Sequence, residues 1–453
     1  MYFLVPHEVS TNTATLWVAA VDETQSVEQF RLVPDRPGQA TAKNAKQWPV
    51  DARQPRIRYS EFEIAGLTPR QTYSFALMVD SRRVAEAKVT TFPGELPLRG
   101  DKPFTVFLGS CFSRLQDEEC RVGNTFFHLP LSAKPDVKIF AGDQVYLDSP
   151  WQRFAAGVHT VAELHDIFVE HYKCTWGQSN GFARLLKEGA SYFCSDDHEF
   201  WNNAPNIASF ILDTWPPRGK RLEWWKAARE LYCAFQGGKP IQQFDVPPLS
   251  FLVADTRMNR SNKETDFMLR SDLDRVGQWV DGLKGPGVLV IGQPLLQTSV
   301  GFFSGHLKDW ALPDYKQYHQ LVEIVGRSVH SLVLLTGDVH YGRIARSSLR
   351  SGAELIEIIA SPMSLVDKNA KGHWEAAPEV FPGVRPEHAT SATLARSGVV
   401  TEPNFSPNDA HFLTIEFTRQ GAGVLLRLRY WPILINGVVP PDFGKSIWER
   451  VLV

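Results

Sequence analysis

Residues 192–199 read Tyr-Phe-Cys-Ser-Asp-Asp-His-Glu, and this stretch decides the fold because a short apolar run ends in consecutive polar side chains. The same arrangement occurs upstream, in the Gly-Asp-Gln-Val-Tyr of residues 142–146, and downstream, in the Gly-Asp-Val-His of residues 337–340. Short apolar runs of this kind are typical of buried strands. Those that precede ligand-type residues cover 104–108, 137–140, 192–194, 288–291 and 332–335.

These runs predict where a site would lie. In an open α/β sheet, ligands bind just beyond the carboxyl ends of the strands, so we expect the polar residues to converge on one sheet edge. An edge rich in Asp, His, Tyr and Cys indicates a metal site.

Helical patterns alternate with the apolar runs from residue 104 onward. They cover 153–176, 222–235, 269–283 and 315–329. This alternation predicts the α/β class, with a largely parallel sheet covered by helices. Strand-like runs at 355–360, 412–417 and 424–430 follow, and we expect a second sheet there that closes the domain. Residues 447–453 offer at most a short helix.

The first 93 residues differ from the rest, because they alternate over short segments without a helical period, which predicts an all-β module. Within it, a Leu67-Thr-Pro turn lies six residues before Tyr73, the spacing of a tyrosine corner in a fibronectin type III-like sandwich. Proline and glycine interrupt regular structure over 94–103. The predicted organisation is a sandwich over 1–93, a linker over 94–103 and an α/β domain over 104–453.

The composition is that of a globular protein with little net charge. It is 43% hydrophobic and 22% charged, with a formal net charge of -2. A near-neutral chain gives no support to nucleic acid or an anionic membrane held by bulk charge. Five unpaired-looking cysteines favour a reducing compartment. No run approaches the roughly 18 apolar residues that span a bilayer, and no basic leader or twin-arginine pair is present, so we expect a cytoplasmic protein.

Asp143 and Tyr146 follow the run at 137–140. A carboxylate at Asp143 has two oxygens, each of which can take one cation, as in sites that hold two metals about 3.5–4 Å apart. A Tyr146 phenolate would suit a highly charged cation such as Fe³⁺, and Cys111, after the run at 104–108, would bind as a thiolate. Taken alone, Cys111 would more often be a packed core thiol.

Asp197 and Asp338 offer further oxygen ligands, and His340 adds a nitrogen from the same loop as Asp338. Carboxylates favour Ca²⁺, Mg²⁺ or Mn²⁺. His198, as an imidazolium, can stabilise transition-state charge or protonate a leaving group. The Asp196-Asp197 pair alone could equally be a helix cap with first-turn acid. The ordered set at successive strand ends is what favours a metal site.

These motifs, taken in order, resemble those of the alkaline phosphatase D (PhoD-like) family of the calcineurin-like metallophosphoesterase superfamily. The stretches that carry the resemblance are Gly109-Ser110-Cys111, Gly142-Asp143-Gln144-Val145-Tyr146, Asp196-Asp197-His198-Glu199, Val290-Ile291-Gly292-Gln293 and Gly337-Asp338-Val339-His340. Further similar stretches cover 200–203, 254–257 and 359–362, and the N-terminal sandwich is also typical of the family. The resemblance extends over nearly the whole chain.

The resemblance implies a metal set as well as a fold. It implies Fe³⁺ on Cys111, Asp143, Tyr146 and His340, with Zn, Mn or Mg as alternative metals. It further implies Ca²⁺ nearby on Asp143, Asp197 and Asp338, with Asn203 as another calcium ligand.

The resulting hypothesis is hydrolysis of a small phosphate ester by a metal-bound hydroxide, with His198 assisting the transition state or leaving group. Arg257 is a candidate phosphate clamp, because a guanidinium binds two oxygens at once. The alternative for Arg257 is a structural ion pair with Asp255 or another acid. The motifs do not distinguish monoesters from diesters, so nucleic acid enters only as a diester substrate. The sequence does not indicate an oligomeric state.

Two rival functions come from other classes. A metal-free cysteine hydrolase would use Cys111 with His198 or His340, and predicts sensitivity to alkylation but not to chelators. A binding-only protein built around the N-terminal sandwich would have no use for the ordered acidic residues.

Overall fold

The structure is a computed structural model that describes the chain except for residues 37–38, 44, 50–54, 156, 217–219, 298, 300–308, 367–399, 403–404 and 406–408. The N-terminal strands are β1 Tyr2–Val9, β2 Thr13–Val21, β3 Phe30–Pro34, β4 Gln39–Ala42, β5 Lys46–Trp48, β6 Ile57–Ala65, β7 Thr72–Val79 and β8 Arg82–Thr90.

These strands form two antiparallel sheets, as the all-β prediction requires. One has the order β1-β2-β6-β4, with β5 also on β6, and the other has the order β3-β7-β8. Alternate residues of each strand face the interior, because successive side chains of a strand point to opposite faces. The Tyr73 hydroxyl accepts a hydrogen bond from the backbone N–H of Thr68 at 2.8 Å, which confirms the tyrosine corner.

Two larger sheets follow. Their strands are β9 Phe104–Gly109, β10 Val137–Ala141, β11 Ala190–Cys194, β12 Ile241–Val246, β13 Leu249–Ala254, β14 Gly287–Val290, β15 Leu332–Thr336, β16 Arg343–Ser348, β17 Glu354–Ile359, β18 Val400–Thr401, β19 His411–Gln420, β20 Gly423–Pro432 and β21 Ser446–Leu452. One sheet has the order β11-β10-β9-β19-β20-β21 and the other β12-β13-β14-β15-β17-β16-β18. Strands β9, β10 and β11 are parallel, as are β13, β14, β15 and β17.

The five apolar runs are strands, as predicted, but they do not belong to one sheet. Strands β9, β10 and β11 lie in one sheet, and β14 and β15 lie in the other. The expected single edge was therefore wrong, since the carboxyl ends of two sheets meet. The late strands do not form a separate closing sheet: β17 pairs with β15, and β19 pairs with β9.

The helices are α1 Arg121–Phe127, α2 Gln152–Ala155, α3 Val161–Trp176, α4 Phe182–Leu186, α5 Arg221–Gln236, α6 Arg270–Gly282 and α7 Tyr318–Gly326. The helix predicted over 153–176 is divided between α2 and α3. A capping box explains the start of α3, because the Thr160 hydroxyl accepts from the Glu163 backbone and Glu163 accepts from Thr160 N–H. The C-terminal segment is strand β21 and not a short helix; it pairs with β20.

The two larger sheets face each other across a shared apolar core. Val106 and Ile139 of one sheet and Val288 of the other belong to the same buried cluster. The other faces are covered by helices: α3 and α5 pack with Phe107 and Phe140, while α6 and α7 pack with the second sheet. Because both faces are covered, the parallel strands are mostly apolar, and the charged residues Lys138 of β10 and Glu357 of β17 are buried exceptions.

The N-terminal module packs against the helical layer. The ring of Trp17 lies 5.7 Å from that of Trp176 and 5.3 Å from that of Phe235. In the segment predicted as a linker, the Leu96 N–H donates to the Pro247 carbonyl at 2.8 Å. The boundaries at 93 and 103 stay a prediction. Among the described helices, none has the length and apolar character needed to cross a bilayer.

Candidate metal centre

The predicted ligands meet where the carboxyl ends of the two larger sheets come together. Cys111 lies after β9, Asp143 after β10 and Asp197 after β11. From the other sheet, Asp338 and His340 follow β15. Strand order thus brings together side chains separated by more than 200 residues along the chain.

The first group of potential ligands contains sulfur, nitrogen and oxygen. One ligand atom each of Cys111, Asp143 and His340 lies within 4.8 Å of the others. The Cys111 Sγ is 3.6 Å from Asp143 Oδ2, and the Tyr146 hydroxyl donates to the same Oδ2 at 3.2 Å. The other three residues expected to bind iron are therefore all near Asp143.

The second group shares Asp143 with the first. One ligand atom each of Asp143, Asp197 and His198 lies within 4.8 Å of the others. The two oxygens of Asp143 are used differently, since Oδ2 faces Cys111 and Tyr146 while Oδ1 accepts the His198 backbone N–H at 3.2 Å. Asp143 consequently has the position required of a carboxylate that bridges two cations.

A third group contains carboxylates alone: Asp196, Asp309 and Asp338. Gln293 Nε2 donates to Asp338 Oδ2 at 2.9 Å and also hydrogen-bonds Asp309. Asn203, the other expected calcium ligand, is buried, and its backbone N–H donates to Asp197 Oδ2 at 2.5 Å. Asp338 and Asn203 therefore both adjoin the acidic groups.

The backbone at the site is held in an uncommon conformation. Five of the seven expected metal ligands have a positive φ: Cys111 at 55°, Asp143 at 59°, Asn203 at 66°, Asp338 at 69° and His340 at 57°. A left-handed conformation costs a residue other than glycine roughly 1–2 kcal/mol. Such strain clusters at functional sites, where the surrounding structure enforces it.

Two glycines allow the loops to approach closely. A Cβ at Gly142, which has a φ of 95°, would lie 2.6 Å from the Cβ of Asp196. A Cβ at Gly337 would lie 2.3 Å from the carbonyl oxygen of Ala141. Any larger residue at either position would push the loops that carry Asp143, Asp196 and Asp338 apart.

Glu199 fixes two of these loops relative to each other. Its carboxylate accepts backbone N–H groups from Asp143 at 2.9 Å, Gln144 at 2.6 Å and Asp196 at 2.8 Å. Burial raises the pKa of Glu199 to about 7, although these hydrogen bonds oppose the shift. Glu199, the last residue of the Asp-Asp-His-Glu motif, is thus a positioning residue.

The electrostatics of the site favour a cation. Burial raises the pKa of Asp143 well above its usual range, and repulsion from Asp197 and Asp338 adds to the shift. Burial likewise raises the pKa of Asp338, with Asp196 and Asp309 adding to it. Buried carboxylates this close together are costly when ionised, and a metal ion removes that cost. Among the described residues, Asp196 Oδ2 is a buried oxygen without a hydrogen-bond partner.

The donor set also fits the metals that the sequence predicts. A thiol, a phenol, an imidazole and carboxylates surround Asp143, whereas the third group offers oxygen alone. Hard cations such as Ca²⁺ take oxygen ligands, and mixed sulfur and nitrogen ligands suit transition metals.

Cys111 does not have the environment of an activated nucleophile. Burial raises the pKa of its thiol well above the ordinary value, and Asp143 and Asp338 raise it further. Reactive cysteines lie in electropositive surroundings instead. The site therefore gives no support to the metal-free cysteine hydrolase.

His198 is oriented by an acid outside the metal groups. Its Nδ1 lies 2.8 Å from Asp148 Oδ1, and its ring lies 4.1 Å from that of Tyr146. Burial opposes protonation of His198, but Asp148 and Asp197 outweigh it and raise the pKa well above the usual value. With Nδ1–H on Asp148, the second ring nitrogen is left for a substrate.

Arg257 is engaged within the protein. Its guanidinium is buried, with Nε 2.5 Å from Asp196 Oδ1 and Nη1 2.8 Å from Asp309 Oδ1. Asp255 accepts the backbone N–H of Arg257 at 2.9 Å, but not its guanidinium, and it also accepts from the hydroxyls of Ser195 and Tyr232. This geometry favours the structural ion pair over the phosphate clamp, with Asp196 and Asp309 as the acids.

Sequence reasoning missed two residues that the fold brings to the site. Asp148 lies two positions after Tyr146, so its place in the same loop was a usable signal. Asp309 lies 52 positions from Arg257 and follows no predicted strand, and no local pattern indicated it.

The fold and the residues together define a class: a two-sheet α/β protein whose strand ends carry potential metal ligands. One of the solved structures that this chain resembles is described as "Structure of PhoD". The TM-score is 0.58 and the sequence identity is 13%, and the alignment covers 95% of this chain and 90% of the PhoD chain. The PhoD-like fold expected from the motifs is therefore confirmed. No protein-family model matches the chain, and neither does any curated protein.

Proposed function

We propose that this chain is a metal-dependent phosphate-ester hydrolase. The observation that carries the proposal is the position of Asp143. Its carboxylate belongs to two groups of potential ligands, which lie at the carboxyl ends of the strands in a PhoD-like fold. Two metals joined by one carboxylate are a common arrangement for phosphoryl transfer.

The donor types support Fe³⁺ and Ca²⁺. Cys111, Tyr146 and His340 would hold iron beside Asp143, and Asp197, Asp338 and Asn203 would contribute to calcium. Zinc, manganese and magnesium are the alternatives. Bound metal ions would supply a water of lowered pKa and neutralise phosphoryl oxygens.

The protein's own residues would orient the substrate and move a proton. His198 has its Nδ1–H on Asp148 and would give the proton of its other nitrogen to the leaving oxygen. Asp148, the largest contribution that opposes burial, raises the pKa of His198 and so favours the protonated imidazole. Arg257 would act indirectly, because it fixes Asp196 and Asp309 and offers no free face to the substrate.

The proposal is tested by hydrolysis of 4-nitrophenyl phosphate and bis(4-nitrophenyl) phosphate, which also decides between monoesters and diesters. Protein depleted of metals by a chelator should be inactive and should recover with iron plus calcium. Variant His198→Ala should bind metals and turn over slowly. His159, which is paired with Asp213 at 2.7 Å outside the site, provides the matched control His159→Ala. Full activity after chelation, or equal loss in both variants, would overturn the proposal.

A further inference from the structure

A small cavity adjoins the metal centre at Tyr146, which is one of its lining residues. Its volume is about 140 Å³, and its walls include Arg114, Arg153, Tyr146 and His171. We call it the arginine pocket. At about 30 Å³ per water, this volume corresponds to roughly five waters, or to one phosphate or carboxylate group.

The pocket carries positive charge that the protein does not neutralise. Arg114 and Arg153 are both exposed, and within the described part of the chain neither guanidinium has an ion pair or a side-chain hydrogen bond. Glu170 is the one carboxylate among the lining residues, and it lies 3.3 Å from Lys173 Nζ and 3.8 Å from Arg56 Nη2. Two arginines therefore line one cavity, and within the described residues neither has a carboxylate as an ion-pair partner.

The other polar walls suit an anion as well. Burial lowers the pKa of His171 to about 4, and Arg153 adds to that shift, so the imidazole is neutral and can donate one hydrogen bond. Thr175 and Ser113 also line the cavity. Guanidinium groups bind phosphate and carboxylate oxygens in pairs, which gives direction as well as charge.

The chain connects this pocket to the metal centre through short distances in sequence. Arg114 lies three residues after Cys111, and Arg153 lies five residues after Asp148. Tyr146 connects the two places, since its hydroxyl donates to Asp143 and the residue also lines the pocket. A molecule that extends past Tyr146 would place one group in the pocket and its phosphate at the metals.

We infer that the arginine pocket binds a second anionic group, a phosphate or a carboxylate, on the organic part of the phosphate-ester substrate. This inference rests on the proposed function and adds the substrate class to it. The preferred substrate is a phosphate ester with two separated anionic groups, and not an ester of a neutral alcohol.

The test compares the metal-loaded, full-length enzyme on three substrates that carry the same type of alkyl phosphate ester: butyl phosphate, 4-phosphooxybutanoate and butane-1,4-diol bisphosphate. Because the bisphosphate has two equivalent esters, its kcat/KM is expressed per ester. Propane-1,3-diol and hexane-1,6-diol bisphosphates extend the series to other distances between the two phosphates. All substrates are used as phosphate monoesters or as methyl phosphate diesters, according to the preference that the 4-nitrophenyl substrates show. We expect kcat/KM for the best bisphosphate to exceed that for butyl phosphate by roughly tenfold or more, as a charge-assisted pair allows. A preference for 4-phosphooxybutanoate instead would identify a carboxylate as the bound group.

Variants Arg114→Gln and Arg153→Gln should each lower the ratio of kcat/KM for the two-anion substrate over butyl phosphate, and the double variant should bring it close to one. Lysine at either position should restore part of the ratio. Arg31, exposed in the N-terminal module, provides the control Arg31→Gln, which should keep the wild-type ratio.

The outcomes separate the two claims. Equal kcat/KM on all substrates, or a preference that survives in both arginine variants, overturns the inference and leaves the hydrolase intact. Failure of the wild type on every phosphate ester overturns the proposed function, and this inference with it. The wild-type substrate series decides the matter even where a variant fails to fold.

Discussion

Asp148 lies 2.8 Å from the Nδ1 of His198, whose backbone N–H donates to Asp143 at 3.2 Å. One histidine thus connects a carboxylate outside the metal groups with the carboxylate shared by two of them. Asp148 also accepts the Asn202 N–H at 2.7 Å, so its own position is fixed by the loop after His198.

Asp148→Asn should lower the pKa of His198, because the attraction that outweighs burial is lost. A histidine with a raised pKa is protonated up to that pKa, so activity that needs the imidazolium falls as pH rises through it. The alkaline limb of the kcat profile should therefore move to lower pH, and kcat at neutral pH should fall roughly tenfold. The profile is measured from pH 6 to 10.

Asp213→Asn is the matched control, since Asp213 is also buried and holds a histidine, His159, away from the site. It should leave the alkaline limb in place. If the alkaline limb of the kcat profile stays in place in Asp148→Asn, the interaction between Asp148 and His198 has no part in the mechanism.

Tyr146→Phe should abolish the visible charge-transfer absorption that a phenolate on Fe³⁺ would give. The physical reason is that only an ionised phenol donates charge to the metal, and burial keeps the pKa of Tyr146 high unless a cation opposes protonation. Absorption spectra of the iron-loaded variant check this. Tyr172→Phe, at a buried tyrosine whose hydroxyl accepts from Gln236 at 3.1 Å, should keep the band. Persistence of the band without Tyr146 would assign it to another ligand.

Metal removal should destabilise the protein more at pH 8 than at pH 5.5. Burial raises the pKa values of Asp143, Asp338 and Glu199, so the metal-free folded state holds protons that the unfolded chain loses near its ordinary carboxyl pKa. The free energy of unfolding of the metal-free protein therefore falls as pH rises from about 4 towards the pKa values of these carboxyl groups in the folded state. Metal ions compensate the ionised carboxylates and remove this loss.

Differential scanning calorimetry of the metal-depleted and the metal-loaded protein measures the difference in Tm at each pH. At a metal concentration of 100 Kd, binding stabilises by about 2.7 kcal/mol per site. A gap in Tm between the two forms that does not grow with pH would contradict the electrostatic account of the site.

Tyr73→Phe should destabilise the N-terminal module by about 1 kcal/mol, the usual net value of one hydrogen bond. The lost bond is that between the Thr68 N–H and the Tyr73 hydroxyl. Urea unfolding measures the change, with Tyr2→Phe as a control, because the hydroxyl of Tyr2 binds a side chain, Gln25, and not buried backbone. Equal effects of both substitutions would show that the corner has no special role.

The strands and their ligand-bearing ends were predictable because both depend on local sequence. Apolar runs of four or five residues identify β9, β10 and β15, and the ligand-type residues follow directly after them in the chain. The Leu67-Thr-Pro turn predicted the Tyr73 corner for the same reason. What failed was pairing over long separations. No local pattern indicates that β9 pairs with β19, which is what places β9 and β15 in different sheets.

The partners of charged side chains were hidden for the same reason. Arg257 was left open between a clamp and an ion pair, and only the folded chain brings Asp309 to it. Arg114 and Arg153 carry no motif, and they share a cavity because the loop after β9 and helix α2 lie side by side at the site. Strained backbone at Cys111 and Asp338 also has no signature in the sequence.

The most direct test is the metal content of the purified protein and of Asp143→Asn, measured by elemental analysis. The account predicts iron near one equivalent with calcium in the wild type, and loss of both in the variant, because one carboxylate serves both groups. Asp213→Asn should retain both metals. Retention of both metals by folded Asp143→Asn would contradict the shared carboxylate, and a folded wild type that binds no metal would contradict the proposed function itself.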